Sequence, residues 1–563
     1  MCARRATAPQ YRRSSSMGSF LRACAVWLAL AASAGWARGD SYHPEQRAGG
    51  AARAARPAPD AAERTAAHWF AEAQAGIAER LRYHRAEGSA RNVVMFIGDG
   101  MSVPTLAAAR TLLGQRNDRP GEEAKLSFEK FPTAGLSKTY CVDQQIADSA
   151  CSATAYLCGV KANEGTIGVT AAVERRDCAA SLRPDARLDS IAAWALADGR
   201  DAGIVTTTRV THASPAGVFA KIANRDWEND DSVRRAGHDP AQCPDIAQQL
   251  VHEKPGNQFK VILGGGRREF LSQGTLDEEG GAGLRTDGRN LIEEWQQDKR
   301  ARNASQRYVW NRSQLLAAQA DPPDYLLGLF EPSHMQYHLE ADPATEPTLA
   351  EMTETAIRLL SRNERGFFLF VEGGRIDHAH HDNYAELALD ETIELSEAVA
   401  RAAALLPERD SLLVVTADHA HVMAFNGYTG RGSDILGVSD SRDRDRVPYM
   451  TLSYTNGPGH RAQPDGRRTD VTAEPDFRAL HWRSHVEVPL SSETHGGDDV
   501  AVFARGPQHA LFSGVYEQSQ LPHLMGYAAC LGPGAHVCPA SAAPPAAAPL
   551  LLLLALLALA HRL

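Results

Sequence analysis

The stretch Val93-Val94-Met95-Phe96-Ile97-Gly98-Asp99-Gly100 decides the fold: an apolar run breaks off at a carboxylate set between glycines. The same event recurs along the chain. Gly203–Val205 runs into Thr206-Thr207-Thr208-Arg209, and Val261–Leu263 into Gly264-Gly265-Gly266. Phe367–Val371 runs into Glu372-Gly373-Gly374, and Leu412–Val415 into Thr416-Ala417-Asp418-His419. Short continuous apolar runs between long helical stretches are the signature of parallel strands buried on both faces. They predict an α/β chain, a three-layer sandwich with a central, mostly parallel sheet. Ligands of such sheets bind at the carboxyl ends of the strands, and there this chain carries Asp99, Glu372, Asp418 and His419. Residues 66–82 have the composition of an N-terminal helix. Residues 427–493, rich in Gly, Arg, Asp and Pro, read as a loop-rich insertion.

The 563 residues carry 43% hydrophobic and 23% charged side chains, which excludes disordered and fibrous classes. Only 8 of the 59 basic residues are Lys and the Arg are scattered, so no basic tract exists for nucleic acid. Nine cysteines leave one over from any complete pairing.

Both ends read as addresses. Arg12, Arg13 and Arg22 precede the apolar run Ala23–Ala32 and the small-residue site Ala32-Ser33-Ala34, the pattern of a secretory signal over 1–34, with Met17 an alternative start. Residues 35–65 read as a poorly ordered lead-in to a domain expected to span 66–541. At the other end, small residues at Ser541–Ala543 and a short spacer precede Leu550–Ala560, a run of Leu and Ala only. That is the pattern of a GPI propeptide over 542–563 attached at Ser541. The rival is a spanning helix, for which the run falls short of about 20 residues. The expected location is the extracellular face of the plasma membrane, where Asn303-Ala304-Ser305 and Asn311-Arg312-Ser313 are glycosylation sequons.

Asp377-His378-Ala379-His380-His381 is the densest ligand cluster, and its first and last residues stand i, i+4 on one helix face. A carboxylate and an imidazole so placed can share a Zn²⁺ at about 2.0–2.2 Å. Thr416-Ala417-Asp418-His419-Ala420-His421 is a second cluster, and His495 can reach back from far along the chain. So many carboxylates imply more than one ion, an oxygen-rich site suiting Mg²⁺. Asp148-Ser149-Ala150-Cys151 opens a run of small residues that let a phosphate or metal approach the backbone. From this stretch alone Ser149 is either a helix cap or a nucleophile. Cys151 and Cys158 are rival nucleophiles without a neighbouring histidine.

Taken together, the chain resembles the animal alkaline phosphatases from about residue 66 to the tail. The resemblance rests on Phe96–Met101, Asp148-Ser149 with Ala153–Lys161, Thr211–Gly217, Phe370–His378, Thr416–His419, and Glu493-Thr494-His495 with Val500–Pro507. It implies a GPI-anchored phosphomonoesterase with two Zn²⁺, one Mg²⁺ and one Ca²⁺. Ser149 is implied as the nucleophile that is transiently phosphorylated, and Asp148 and Arg225 as the residues that bind the phosphate. One zinc is implied to take Asp377, His381 and His495, the other Asp99, Asp418, His419 and Ser149. Mg²⁺ is implied to take Asp99, Ser214 and Glu372. Calcium would take Glu279, Phe330 through its carbonyl, Glu331 and Glu346, where many relatives have Asp for Glu346. The resemblance further implies disulfides Cys178–Cys243 and Cys530–Cys538, a crown at 427–493, and a homodimer in which Tyr428 reaches the partner's site. Cys141 and Cys151 either stay free or pair with each other. Leu490–Gly497 is most similar to the intestinal type, within the intestinal and placental group. Two rivals stay open, a phosphodiesterase-like enzyme or sulfatase of the same superfamily and a catalytically inactive surface protein, although no Cys-x-Pro-x-Arg stretch of the sulfatase kind occurs.

Overall fold

Ten strands make one sheet in the computed structural model, which describes residues 61–80, 88–427, 429–439 and 445–538. In chain order they are β1 (Asn92–Gly98), β2 (Thr133–Lys138), β3 (Asp201–Arg209), β4 (Val261–Gly265), β5 (Gln306–Val309), β6 (Tyr325–Leu329), β7 (Phe367–Gly373), β8 (Ser411–Thr416), β9 (Val500–Arg505) and β10 (Gly514–Glu517). Their order across the sheet is β10-β2-β9-β8-β1-β7-β3-β4-β6-β5. Every pairing is parallel except those of β9, which runs against both β2 and β8.

Strand side chains alternate between the two faces of a sheet, and both faces here are apolar. Val93, Met95 and Ile97 of β1 join one core with Phe368 and Phe370, while Val94 and Phe96 join the other with Leu369 and Val371. The helix Ser149–Cys158 adds Tyr156 and Leu157 to the first core; the long helix Ala385–Leu405 adds Leu389 and Leu395 to the second. Helices therefore cover both faces, as continuous apolar strands require.

All five apolar runs are strands, but β3 extends through Thr206–Arg209, where the sequence suggested that it had ended. β-Branched threonine suits a strand, and the hydroxyls of Thr206 and Thr208 both find the carboxylate of Glu372. The N-terminal helix spans Ala66–Arg80, preceded by a 3-10 turn at Ala61–Arg64 inside the lead-in. The insertion holds most of a three-stranded sheet, Met423–Phe425, Leu452–Gly457 and Val486–Pro489. Cys178–Cys243 and Cys530–Cys538 are bridged, and so is Cys141–Cys151, whose state the sequence left open. Cys158 is a buried free thiol that burial pushes up to about 12, which makes it inert as a nucleophile. Among the described residues no helix is long and apolar enough to cross a membrane.

One tie between the loop that follows β6 and the long helix is sensitive to pH. After β6, His338 places Nδ1 2.8 Å from Asp390 and Nε2 3.4 Å from Glu394 of the long helix. The hydrogen bond to Asp390 outweighs burial and, with these carboxylates, pushes the imidazole up to about 9. A folded value above the unfolded one of about 6.5 gives stability that is complete below about 6.5 and lost as pH rises through about 9. The ring is 38% exposed, so screening reduces the gain to on the order of 1 kcal/mol. His338→Gln is expected to lower the melting temperature at pH 6 and to leave it unchanged at pH 10, as thermal melts at the two pH values will show.

Candidate active site

Asp377 and His381 lie on the helix Arg375–His381, which begins directly after β7. His495 joins them from a two-residue strand, where it pairs with His421. His381 Nε2 is 3.3 Å from Asp377 Oδ1, His495 Nε2 is 3.4 Å from the same oxygen, and the two Nε2 atoms are 3.2 Å apart. Ligands of one tetrahedral ion at about 2.0–2.2 Å stand about 3.3–3.6 Å apart, so this triplet fits a zinc. His381 Nδ1 meets the carbonyl of Glu493 at 2.6 Å and His495 Nδ1 that of Ala147 at 2.7 Å. A carbonyl can only accept, so each ring holds its proton on Nδ1 and turns the Nε2 lone pair inward.

The second triplet comes from the ends of β1 and β8. His419 Nε2 is 3.4 Å from Asp99 Oδ1, 3.1 Å from Asp418 Oδ2 and 3.2 Å from Ser149 Oγ. Gly100 makes the turn that presents Asp99: its φ is +68°, its N–H donates to Asp418 at 2.9 Å, and a Cβ there would strike the ring of His421. The rings of His419 and His495 stack 3.5 Å apart, so the two triplets adjoin.

Ser149 is fully buried at the first turn of its helix, and the cap of that helix is Asp148, which accepts the N–H of Cys151 at 3.1 Å. The serine hydroxyl is therefore not spent on capping. Asp148 also accepts the N–H of Gly165 at 3.0 Å and Arg225 Nη1 at 3.0 Å. Burial opposes its ionisation, but Arg225, Arg175 and the two backbone donors hold it down to about 2. Arg225 Nη2 stands 3.2 Å from His212 Nε2, which fixes the guanidinium on both sides.

Asp99, Glu372 and His212 each offer a ligand atom, all within 4.8 Å of one another, and Ser214 is buried two residues beyond His212. Both Asp99 oxygens and Glu372 Oε1 are buried and find no hydrogen-bond donor among the described residues. Burial, then Asp418, Asp377 and Glu372, raise Asp99 well above the usual carboxylate range. Four buried carboxylates this close cannot all ionise without cations. The donor set thus fits a Mg²⁺ beside two Zn²⁺.

Three residues around these ligands were given no role by the sequence, although His421 stands in the second ligand cluster. His421 Nε2 lies 2.6 Å from Asp377 Oδ1, and its Nδ1 is bonded to Glu493. Burial lowers this imidazole, yet Glu493 and Asp377 push it up to about 10. Glu493 also accepts the N–H of Val422 at 2.8 Å, which ties the His421 segment to the His495 segment. The third is His212, beside the magnesium candidates. Each sits within two residues of a predicted ligand, a proximity that was visible; the strand pairing of His421 with His495 was not.

Among the calcium candidates, Glu331 and Glu346 are raised to about 6 and about 7 by burial and by neighbouring carboxylates. Phe330 is buried just beyond β6, whereas Glu279 pairs with Arg267. Asn303 is exposed; Asn311 is half-buried and caps a helix through Gln314 N–H at 3.0 Å. The signal, the anchor with Ser541, and Tyr428 lie outside the described residues.

Residues 90–531 match the alkaline phosphatase family model. A membrane-bound alkaline phosphatase of Bombyx mori is 65% identical over 92% of this chain and 94% of its own length. The tissue-nonspecific isozyme of Gallus gallus is 47% identical over 88% of this chain and 96% of its own. Among solved structures, alkaline phosphatase from the Antarctic bacterium TAB5 superposes with a TM-score of 0.55 at 19% identity, covering 80% of this chain and 100% of that one. The Thermus thermophilus enzyme gives 0.55 at 22% identity, over 79% of this chain and 93% of its own.

Proposed function

Since this chain belongs to the alkaline phosphatase family, we propose that it hydrolyses phosphate monoesters through a phosphoserine formed on Ser149. The observation that carries this reading is the Ser149 hydroxyl, 3.2 Å from His419 Nε2 and free of the helix cap. Asp377, His381 and His495 would hold one Zn²⁺, and Asp99, Asp418, His419 and Ser149 the other; Asp99, Ser214 and Glu372 would hold Mg²⁺. Bound there, the ions supply the charge that lowers the hydroxyl pKa and offsets the negative charge of the phosphate and leaving oxygen.

The protein groups do the rest. Ser149 Oγ attacks phosphorus in line, the ester P–O bond breaks, and the alcohol departs. Water then cleaves the serine–phosphorus bond and releases inorganic phosphate. Arg225 offers a planar fork to two phosphate oxygens, a grip that Lys cannot reproduce. Asp148 cannot itself attract an anion; it orients the guanidinium. His421, carried by Glu493, orients Asp377 from behind.

Calcium at Phe330, Glu331, Glu346 and Glu279, a homodimer, and a GPI tether at Ser541 on the outer face of the plasma membrane complete the proposal. Support for the tether comes from the small-residue and apolar tail and from the Bombyx relative, whose name describes it as membrane-bound. A chromogenic phosphate monoester is expected to be hydrolysed at alkaline pH far faster than its diester or sulfate analogues, and chelator should abolish the activity. Equal diester turnover, or no turnover with zinc and magnesium restored, would overturn the reading.

A further inference from the structure

Residues 139–147 connect β2 to the nucleophile helix without regular secondary structure. Their start is anchored, because Lys161 Nζ donates to the carbonyls of Lys138 and Tyr140 at 3.1 and 2.9 Å and pairs with Glu517 at 3.0 Å. Their middle faces solvent, and Ile146 is 46% exposed. Their end has two tasks that tolerate little movement. The carbonyl of Ala147 fixes the ring of His495, and Asp148, the next residue, fixes Arg225. An exposed segment ordinarily wanders, so something must hold this end in register.

The bridge Cys141–Cys151 joins the start of the segment to the first turn of the helix. It closes a ring that contains Ala147, Asp148 and Ser149. Both sulfurs belong to residues only 2% exposed, packed with Ala147 and Ala162. We propose that this bridge is a positioning element of the site. It keeps the Ala147 carbonyl on His495 and the Asp148 carboxylate on Arg225, so zinc retention and phosphate affinity both depend on it. The proposal rests on reading His495 as a zinc ligand and Arg225 as the phosphate clamp. Its burial sets it apart from an exposed redox switch; its position sets it apart from Cys530–Cys538, which ties the helix Leu521–Ala529 to the segment after it.

The test compares the full chain carrying C141A/C151A, with both sulfurs removed, against C530A/C538A. Zinc transfer to a chromophoric chelator and the inhibition constant of inorganic phosphate are measured on folded, zinc-loaded protein. Loss of an outer contact to a metal ligand typically costs about 10–100-fold in affinity. Zinc release about tenfold faster and a phosphate inhibition constant about tenfold higher are expected in C141A/C151A alone. Wild-type values for both, with only a lowered melting temperature, would overturn the proposal. Should that pair fail to fold, the same readouts are taken on native enzyme in a phosphine reductant, with alkylation after acid quench to show which bridge opened; unchanged values with the 141–151 bridge open again overturn it. His495→Asn separates this proposal from the reading beneath it. If that variant retains full zinc, the zinc reading fails; if it loses zinc while C141A/C151A keeps it, only the bridge proposal fails.

Discussion

Ser149→Ala is expected to lower turnover of a phosphate monoester by at least about 10⁴-fold, the scale on which loss of a nucleophile acts. Phosphate itself should still bind, because the fork of Arg225 and its support from Asp148 lie outside the hydroxyl. Arg225→Ala should behave in the opposite way. It leaves the Ser149 hydroxyl in place but removes charge-assisted hydrogen bonds of about 1.5–3 kcal/mol, so KM and the phosphate inhibition constant rise roughly 10–150-fold. Steady-state kinetics with phosphate as inhibitor separates the two variants. Substantial turnover in Ser149→Ala would show that water attacks directly, and the capped, buried helix start would need another explanation. The contrast matters because the stretch around Ser149, taken alone, could not choose between a cap and a nucleophile. The structure gives the cap to Asp148.

Much of the fold was legible because its central strands are buried on both faces. Val93–Ile97 and Phe367–Val371 must be apolar throughout, so their pattern appears in the sequence itself. The outer strands and the antiparallel one were harder to read. Gln306–Val309 is half-buried and mixed in composition, and Val500–Arg505 runs antiparallel between two strands distant from it in sequence. Pairing of that kind leaves no local trace. Within the site, carboxylates and imidazoles at strand ends were conspicuous because chemistry of this type needs several together. The supports of those ligands were not, since their roles exist only in three dimensions. Glu493 acts through contacts with His421 and Val422, far along the chain, and the Ala147 carbonyl is a backbone atom that no side-chain motif can reveal.

Asp99→Asn should have the other large effect, and its sign in stability depends on metal. Asp99 stands in both ligand groups, with Asp418 and His419 on one side and with His212 and Glu372 on the other. Its side chain is fully buried, and neither oxygen has a donor among the described residues. With cations in place the carboxylate is compensated twice over, so the amide should cost at least about 10³ in turnover, lower the metal content, and lower the melting temperature. Without cations the same carboxylate faces Asp418, Asp377 and Glu372, all of them buried side chains. An amide of the same shape relieves that repulsion and can donate to one of these neighbours. Metal-free Asp99→Asn is therefore expected to be more stable than metal-free wild type, by on the order of 1–3 kcal/mol. Thermal melts of chelator-treated and metal-restored protein would show the order of the two melting temperatures reverse. If metal-free Asp99→Asn melts below metal-free wild type, Asp99 makes favourable contacts of its own, and charge repulsion is not what the cations relieve.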